Sequence, residues 1–114
     1  MSKQVSGKFD LNRTVHYTVY HSRSNNSVEI SGRVAYRTSD KVRHSFNIYL
    51  QRLTNGKWET VGTRTNVPGA GLGDPYYGVT FTNVRKSSAS MRVRLKIVSE
   101  GKTYYQNTRT FRHQ

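Results

Sequence analysis

The sequence predicts an all-β protein, an antiparallel β-sandwich of about seven to eight strands. Residues that suit pleated sheets are plentiful: the chain holds 8 Tyr, 4 Phe, 1 Trp and twelve Thr, against five Leu and three Ala. Apolar and polar residues alternate along nearly the whole chain, and turn residues interrupt this pattern about every 8–12 residues. Immunoglobulin-like or fibronectin-like connectivity is expected, with a partly open β-barrel as the second choice.

The chain is expected to form one domain, because 114 residues can bury a core without metal or disulfide help. Residues 1–12 are expected to be an N-terminal extension or a short edge strand, and residues 13–114 a single β-sandwich domain. Alternating residues that share one face define the strands of this domain. In chain order these sets are Val15, Tyr17 and Val19; Val28, Ile30, Gly32, Val34 and Tyr36; Phe46, Ile48 and Leu50; Tyr77, Val79 and Phe81; and Met91, Val93, Leu95 and Ile97.

Turn signals place the connections between these strands. Asn55-Gly56 favours a type I′ hairpin, whose returning strand is expected to end near Thr65. Residues 66–78 contain both prolines and four of the nine glycines, which predicts a long loop between strands. The sequence around Glu100-Gly101 predicts a tight hairpin into a last strand from Thr103 to Phe111.

The charge of the chain indicates the kind of partner. Lys and Arg total 19 against 6 Asp and Glu, for a net charge of +13 that is spread from Lys3 to Arg112. So many positive charges on a small folded body repel one another, and an anionic partner would relieve that repulsion. The absence of cysteine fits both a bacterial cytosol and an exported protein.

A basic stripe is the strongest candidate site. If Met91, Val93, Leu95 and Ile97 point inward, then Arg92, Arg94 and Lys96 point outward, about 7 Å apart along the strand. Neighbouring strands are expected to add Arg43, Tyr49, Gln51 and either Tyr104 or Tyr105, of which Tyr104 is assigned to the site. Interleaved guanidinium and aromatic groups suit phosphate, sulfate or carboxylate. The alternative is a solvated sheet face that only needs polar groups.

The Gly/Pro-rich loop is the second candidate. Gly69-Ala-Gly71-Leu-Gly73 is not a phosphate-binding loop, because no helix follows it and no Lys-Ser/Thr pair closes the motif. Exposed Leu72, Tyr76 and Tyr77 are instead expected to contact a membrane interface or a sugar. The alternative is a crossover whose tyrosines fold back over the core edge.

Catalysis is not expected. His16 and His21 fall on opposite faces of one strand, and His44 is expected at the core edge in register with Phe46. The histidines have no ligand-spaced acidic partners, so the sequence predicts neither a metal site nor any other cofactor. A ribonuclease would need Glu29 or Glu59 to meet a histidine across a sheet, which sequence does not establish, and Glu100 is expected in a tight turn.

These observations predict a non-catalytic, exported, cationic protein that binds anionic bacterial surface polymer or phospholipid headgroups, as a wall-binding or antimicrobial, bacteriocin-like protein. The alternatives are a single-stranded nucleic-acid binder and an interaction module for an acidic protein. The expected location is extracellular, as a mature form without a signal peptide, with the cytoplasm as the alternative. No transmembrane segment is expected, because the chain has no apolar run of sufficient length.

Overall fold

Nine β-strands form in the part of the chain that the computed structural model describes. These residues are 2–11, 14–22, 25–35, 44–69 and 76–114, with positions 2, 68 and 69 described as backbone only. The strands are β1 (Ser2–Asp10), β2 (Thr14–Ser22), β3 (Val28–Arg33), β4 (His44–Thr54), β5 (Lys57–Gly69), β6 (Tyr76–Phe81), β7 (Ser90–Ser99), β8 (Lys102–Asn107) and β9 (Phe111–Arg112).

The strands form two antiparallel sheets that pack face to face. One sheet has the order β1-β2-β3-β6, and the other β5-β4-β7-β8 with β9 also paired to β7. The chain passes from one sheet to the other after β3, β5 and β6, so β2 to β8 have fibronectin-like connectivity. Strand β1 is added beside β2, with which it pairs along its whole length. The predicted antiparallel sandwich is confirmed: two separate antiparallel sheets pack together, so the second choice, a partly open barrel, is not the architecture of this chain.

The core lies between the sheets and consists of the residues that alternation predicts to point inward. Val15, Val19, Val28, Ile30 and Val34 of the first sheet are each 0% exposed, as are Phe46, Ile48, Leu50, Met91, Val93, Leu95 and Ile97 of the second. Tyr36, which was expected to extend the β3 set, lies outside the described residues. Strand β7 is flanked by β4 and β8, so its inward side chains lie in the middle of the second sheet.

Two hairpins have the geometry that their sequences predict. Asn55 and Gly56 have φ values of 52° and 77°, and Glu100 and Gly101 have φ values of 53° and 75°. Two successive positive φ angles are the mark of a type I′ turn, whose twist matches that of the paired strands. These turns set the register of β4 with β5 and of β7 with β8.

Strand β5 is longer than expected. The predicted end near Thr65 and the predicted bounds of the loop, 66–78, are wrong, since β5 continues to Gly69 and β6 begins at Tyr76; residues 70–75 lie outside the described residues. The pairing of β5 with β4 continues past two irregularities in register. Asn66 has a φ of 53°, and its backbone N–H donates to Oδ1 of Asn47 at 2.9 Å. An edge strand tolerates Pro68 because one side of its backbone needs no partner.

The last predicted strand divides into two. Strand β8 ends at Asn107, and β9 then pairs with the beginning of β7. Between them Thr108 is buried, and its Oγ1 accepts a hydrogen bond from the N–H of Val93 at 2.9 Å. The side chain of Thr108 thus takes a position that a backbone carbonyl would occupy in a continuous ladder.

Candidate functional site

The outward side of β7 and its neighbours carries the candidate site. Cross-strand pairs share a face, and β7 and β4 pair in the register Arg92 with Gln51, Arg94 with Tyr49 and Lys96 with Asn47. Because the residues between them on β7 are buried, all of these side chains point away from the core. We call this surface the basic face: Asn47, Tyr49, Gln51, Trp58, Arg92, Arg94, Lys96, Tyr105 and Asn107.

Arg92 is held in place at the β5 end of the basic face. Its Cζ lies 4.2 Å from the centre of the Trp58 ring, and its Nε donates to Oε1 of Gln51 at 2.8 Å. Gln51 in turn donates from Nε2 to Oγ1 of Thr60 at 3.3 Å. Partial burial, and then the nearby charge of Arg94, lower the pKa of the Arg92 guanidinium from its ordinary value. The negative charge of a bound anion would raise this pKa and so oppose both effects.

Arg94 is held in a similar way on the β8 side. Its Cζ lies 5.1 Å from the centre of the Tyr105 ring, and its Nη1 donates to Oδ1 of Asn107 at 3.1 Å. Lys96 lies opposite Tyr105 in the same ladder. The two arginines are therefore positioned by aromatic rings and neutral side chains, which leaves their charge in place.

Carboxylates are absent from the basic face as far as the structure describes it. The acidic residues of the described chain lie elsewhere: Asp10 on β1, Glu29 on β3, Glu59 on β5 opposite Arg52 of β4, and Glu100 in a turn. One ion pair of the described residues, Lys8 Nζ to Asp10 Oδ2 at 3.9 Å, is on the opposite sheet. The field above the basic face is therefore positive and attracts anions.

Most residues assigned to the stripe from sequence do lie on this face. The outward residues are Arg92, Arg94 and Lys96 on β7 and Tyr49 and Gln51 on β4. Arg43 lies outside the described residues. Gln51 is only 8% exposed, because Arg92 and Thr60 cover it.

The placement of Tyr104 is wrong. Tyr104 lies opposite Ile97 and packs against the core, whereas Tyr105 lies opposite Lys96 and is 53% exposed. The hairpin pairs Ser99 with Lys102, and this register turns the odd-numbered positions of β8 outward. Trp58 was not assigned to the basic face from the sequence. The Asn55-Gly56 hairpin places it opposite Leu53, and this turn signal could have shown that its side chain points outward.

The predicted loop contact is partly wrong. Tyr77 belongs to β6 and is 5% exposed; it stacks on Phe46 with 4.4 Å between ring centres, and its hydroxyl donates to the carbonyl of His16 at 2.8 Å. Burial, with a further contribution from Tyr17, raises the pKa of this hydroxyl. Tyr76 is exposed but points outward from the sheet opposite to the basic face, and Leu72 lies outside the described residues.

Three of the histidines are buried: His21, His44 and His113. His44 stacks on Phe46 at the core edge, as predicted, and His21 stacks on Phe111 with 5.1 Å between ring centres. His113 is fully buried, with 6.2 Å between the centres of its ring and that of His21. Over the described part of the chain, no three residues of the types His, Cys, Asp and Glu come together as metal ligands would.

His113 is expected to make stability depend on pH. Burial mainly lowers its pKa, Lys86 and Arg52 lower it further, and the backbone of Val84 opposes them. Below about pH 6.5 the imidazole is therefore protonated in the unfolded chain but remains neutral in the folded chain. The folded state is fully favoured above that pH, and its stability is lost as the pH falls. We expect the free energy of unfolding, measured in urea, to fall by at most about 1.4 kcal/mol per pH unit through this one group.

The matched test of this pH dependence compares His113→Gln with His16→Gln, since His16 is exposed. His113→Gln should reduce the slope of stability against pH between pH 7 and pH 5, and His16→Gln should change it little. Equal slopes in the parent and His113→Gln would contradict the assignment.

Comparisons with protein-family models, with curated proteins and with solved structures found no match for this chain. Among the residues that the structure describes, no helix is long and apolar enough to cross a membrane. Fold and site together define an antiparallel β-sandwich with one cationic sheet face that is lined with aromatic residues.

Proposed function

We propose that this protein is a non-catalytic module that binds anionic polymers through its basic face. The observation that carries the proposal is the row of Arg92, Arg94 and Lys96, which is positioned by Trp58 and Tyr105 and has no carboxylate beside it in the described chain. Guanidinium groups offer paired donors that match phosphate and carboxylate oxygens.

The dimensions of the row favour a polymer over a small anion. From Arg92 to Lys96 the strand rises about 13 Å, with a cation at every second residue. A single small anion would neutralise one of these charges, whereas a chain with repeated charges can neutralise all three. Anionic polymers of bacterial surfaces, such as teichoic acid or lipopolysaccharide, have this character, and a layer of phospholipid headgroups presents similar charge.

The aromatic rings favour charge capture over base stacking. Arg92 lies over Trp58 and Arg94 lies over Tyr105, so each ring already supports a guanidinium. Single-strand binders instead offer aromatic faces to the bases. Single-stranded nucleic acid is the second candidate, because Tyr105 is exposed beside Lys96 and could accept one base. An acidic protein is the third.

The proposal places the protein outside the cell, where it meets such polymers; a composition rich in Ser, Thr, Asn, Tyr and Gly supports this. Attachment there would serve either wall binding or an antimicrobial, bacteriocin-like action. The predicted insertion of loop residues is no longer part of the mechanism, since Tyr77 is buried and Tyr76 points away from the basic face.

Binding is expected to weaken steeply with salt. Exposed charges are screened over about 8 Å at physiological ionic strength and over about 3 Å at 1 M. Sedimentation with purified wall polymer, anionic vesicles and single-stranded DNA, each at low and high salt, tests the proposal and ranks the partners. Affinity for the preferred partner that does not change with salt would show that shape or apolar contact carries recognition.

A further inference from the structure

A second cationic site lies away from the basic face, at the side of the sandwich where β5 and β6 approach each other. A cleft of about 250 Å³ opens there between β4, β5, β6 and the segment after β6. Leu50, Phe81 and Val84 form its buried apolar wall. Its polar lining includes three arginines, Arg52, Arg64 and Arg85, together with Thr82 and Asn83.

Arg52 is the unusual member of this group. It is 7% exposed, and its Nη2 donates to the carbonyl of Arg85. Its Nε is buried and has no hydrogen-bond partner among the described residues. A buried donor on a charged group is costly when it is left unsatisfied, so the described fold compensates this guanidinium only in part.

Arg64 and Arg85 add charge at the same cleft. Arg64 lies with its Cζ 4.9 Å from the centre of the Phe81 ring, and it donates to the carbonyls of Thr63 and Thr80 at 3.0 and 3.4 Å. Arg85 is near enough to Arg52 to lower its pKa, after burial itself, which has the larger effect. Glu59, exposed across the ladder from Arg52, opposes this shift but does not line the cleft.

Gly62 allows this arrangement. A Cβ at position 62 would lie 2.7 Å from the Phe81 ring, so only glycine lets β5 come this close to the ring. The close approach brings the apolar wall and the three guanidinium groups together around one cavity.

We propose that this arginine cleft binds a phosphate group, with the apolar wall available to whatever the phosphate is attached to. Three guanidinium groups that line one cleft match the oxygens of a phosphate, and a bound phosphate would offset the charge repulsion between Arg52 and Arg85. The cleft is separate from the basic face, so phosphate binding here does not depend on whether the basic face binds a polymer.

Two ligands test whether the cleft recognises free phosphate or a phosphate group attached to an apolar molecule. Inorganic phosphate tests the charged group alone, and lysophosphatidic acid below its micelle concentration tests the same group on an apolar tail. Calorimetry at constant ionic strength should show saturable binding of at least one of them. Amide signals of Gly62, Asn83 and Val84 should shift during an NMR titration, because these residues line the cleft.

Variants at the exposed arginines test the location, since Arg52 is too buried to replace safely. Arg64→Gln and Arg85→Gln should each weaken binding about tenfold or more, whereas Arg33→Gln, at an exposed arginine of β3 that does not line the cleft, should not. Val61→Glu places a carboxylate at the cleft, because Val61 lines it and is exposed; this variant should bind neither ligand and should melt at a higher temperature than the parent.

The inference is overturned if neither ligand binds saturably, if the Arg64 and Arg85 variants bind like the parent, or if Arg33→Gln weakens binding equally. Tighter binding of lysophosphatidic acid than of inorganic phosphate supports an amphiphilic ligand. Equal binding of the two supports a phosphate that is recognised alone.

Discussion

Replacing Arg92, Arg94 and Lys96 together with serine is expected to reduce binding to anionic polymer or vesicles by about 100-fold. Each cation near an anionic surface contributes about 1 kcal/mol, and three together therefore correspond to roughly two powers of ten in affinity. The fold should persist, because the three side chains point outward and their removal lessens the mutual repulsion. Sedimentation at low salt measures the loss, and thermal melting checks the fold.

A matched control removes the same charge from the opposite sheet. Lys3 and Lys8 on β1 and Arg33 on β3 are exposed cations, and their triple replacement with serine also lowers the net charge by three. This control should bind nearly as well as the parent. If both triple variants lose affinity equally, net charge alone governs attachment and the basic face is not a site. If neither loses affinity, the proposed function is wrong.

Leu95→Ala is expected to lower the free energy of unfolding by about 2–5 kcal/mol. Leu95 is fully buried on β7, in the middle of its sheet, so the shorter side chain leaves a cavity that its neighbours fill only in part. Urea unfolding followed by circular dichroism measures the change. Val98→Ala on the same strand is the control: Val98 is 37% exposed and faces outward, so its replacement should cost much less.

A near-neutral Leu95→Ala would mean that β7 is not packed as the structure has it. The outward placement of Arg92, Arg94 and Lys96 depends on that packing, because successive side chains of a strand alternate between faces. The stability measurement is therefore also a test of the site, made without any ligand.

The arginine cleft could not be predicted from the sequence. Arg52 is on β4, Arg64 on β5 and Arg85 in the segment after β6, and none of them stands out by local spacing. They meet because the edges of two sheets approach and Gly62 permits a close contact with Phe81. Alternation assigns a residue to a face of its own sheet, but it does not state which edges meet.

Local features could be predicted from the sequence: the all-β class, the inward residues of the central strands, the type I′ turn at Asn55-Gly56 and the tight hairpin at Glu100-Gly101. Each depends on periodicity or turn chemistry over a few residues. The outward position of Tyr105 instead of Tyr104, the burial of Tyr77 and the meeting of three arginines became visible only in the folded structure. These depend on register and on the packing of two sheets. A shift of one residue reverses every side chain, and distant segments become neighbours only when the sandwich closes.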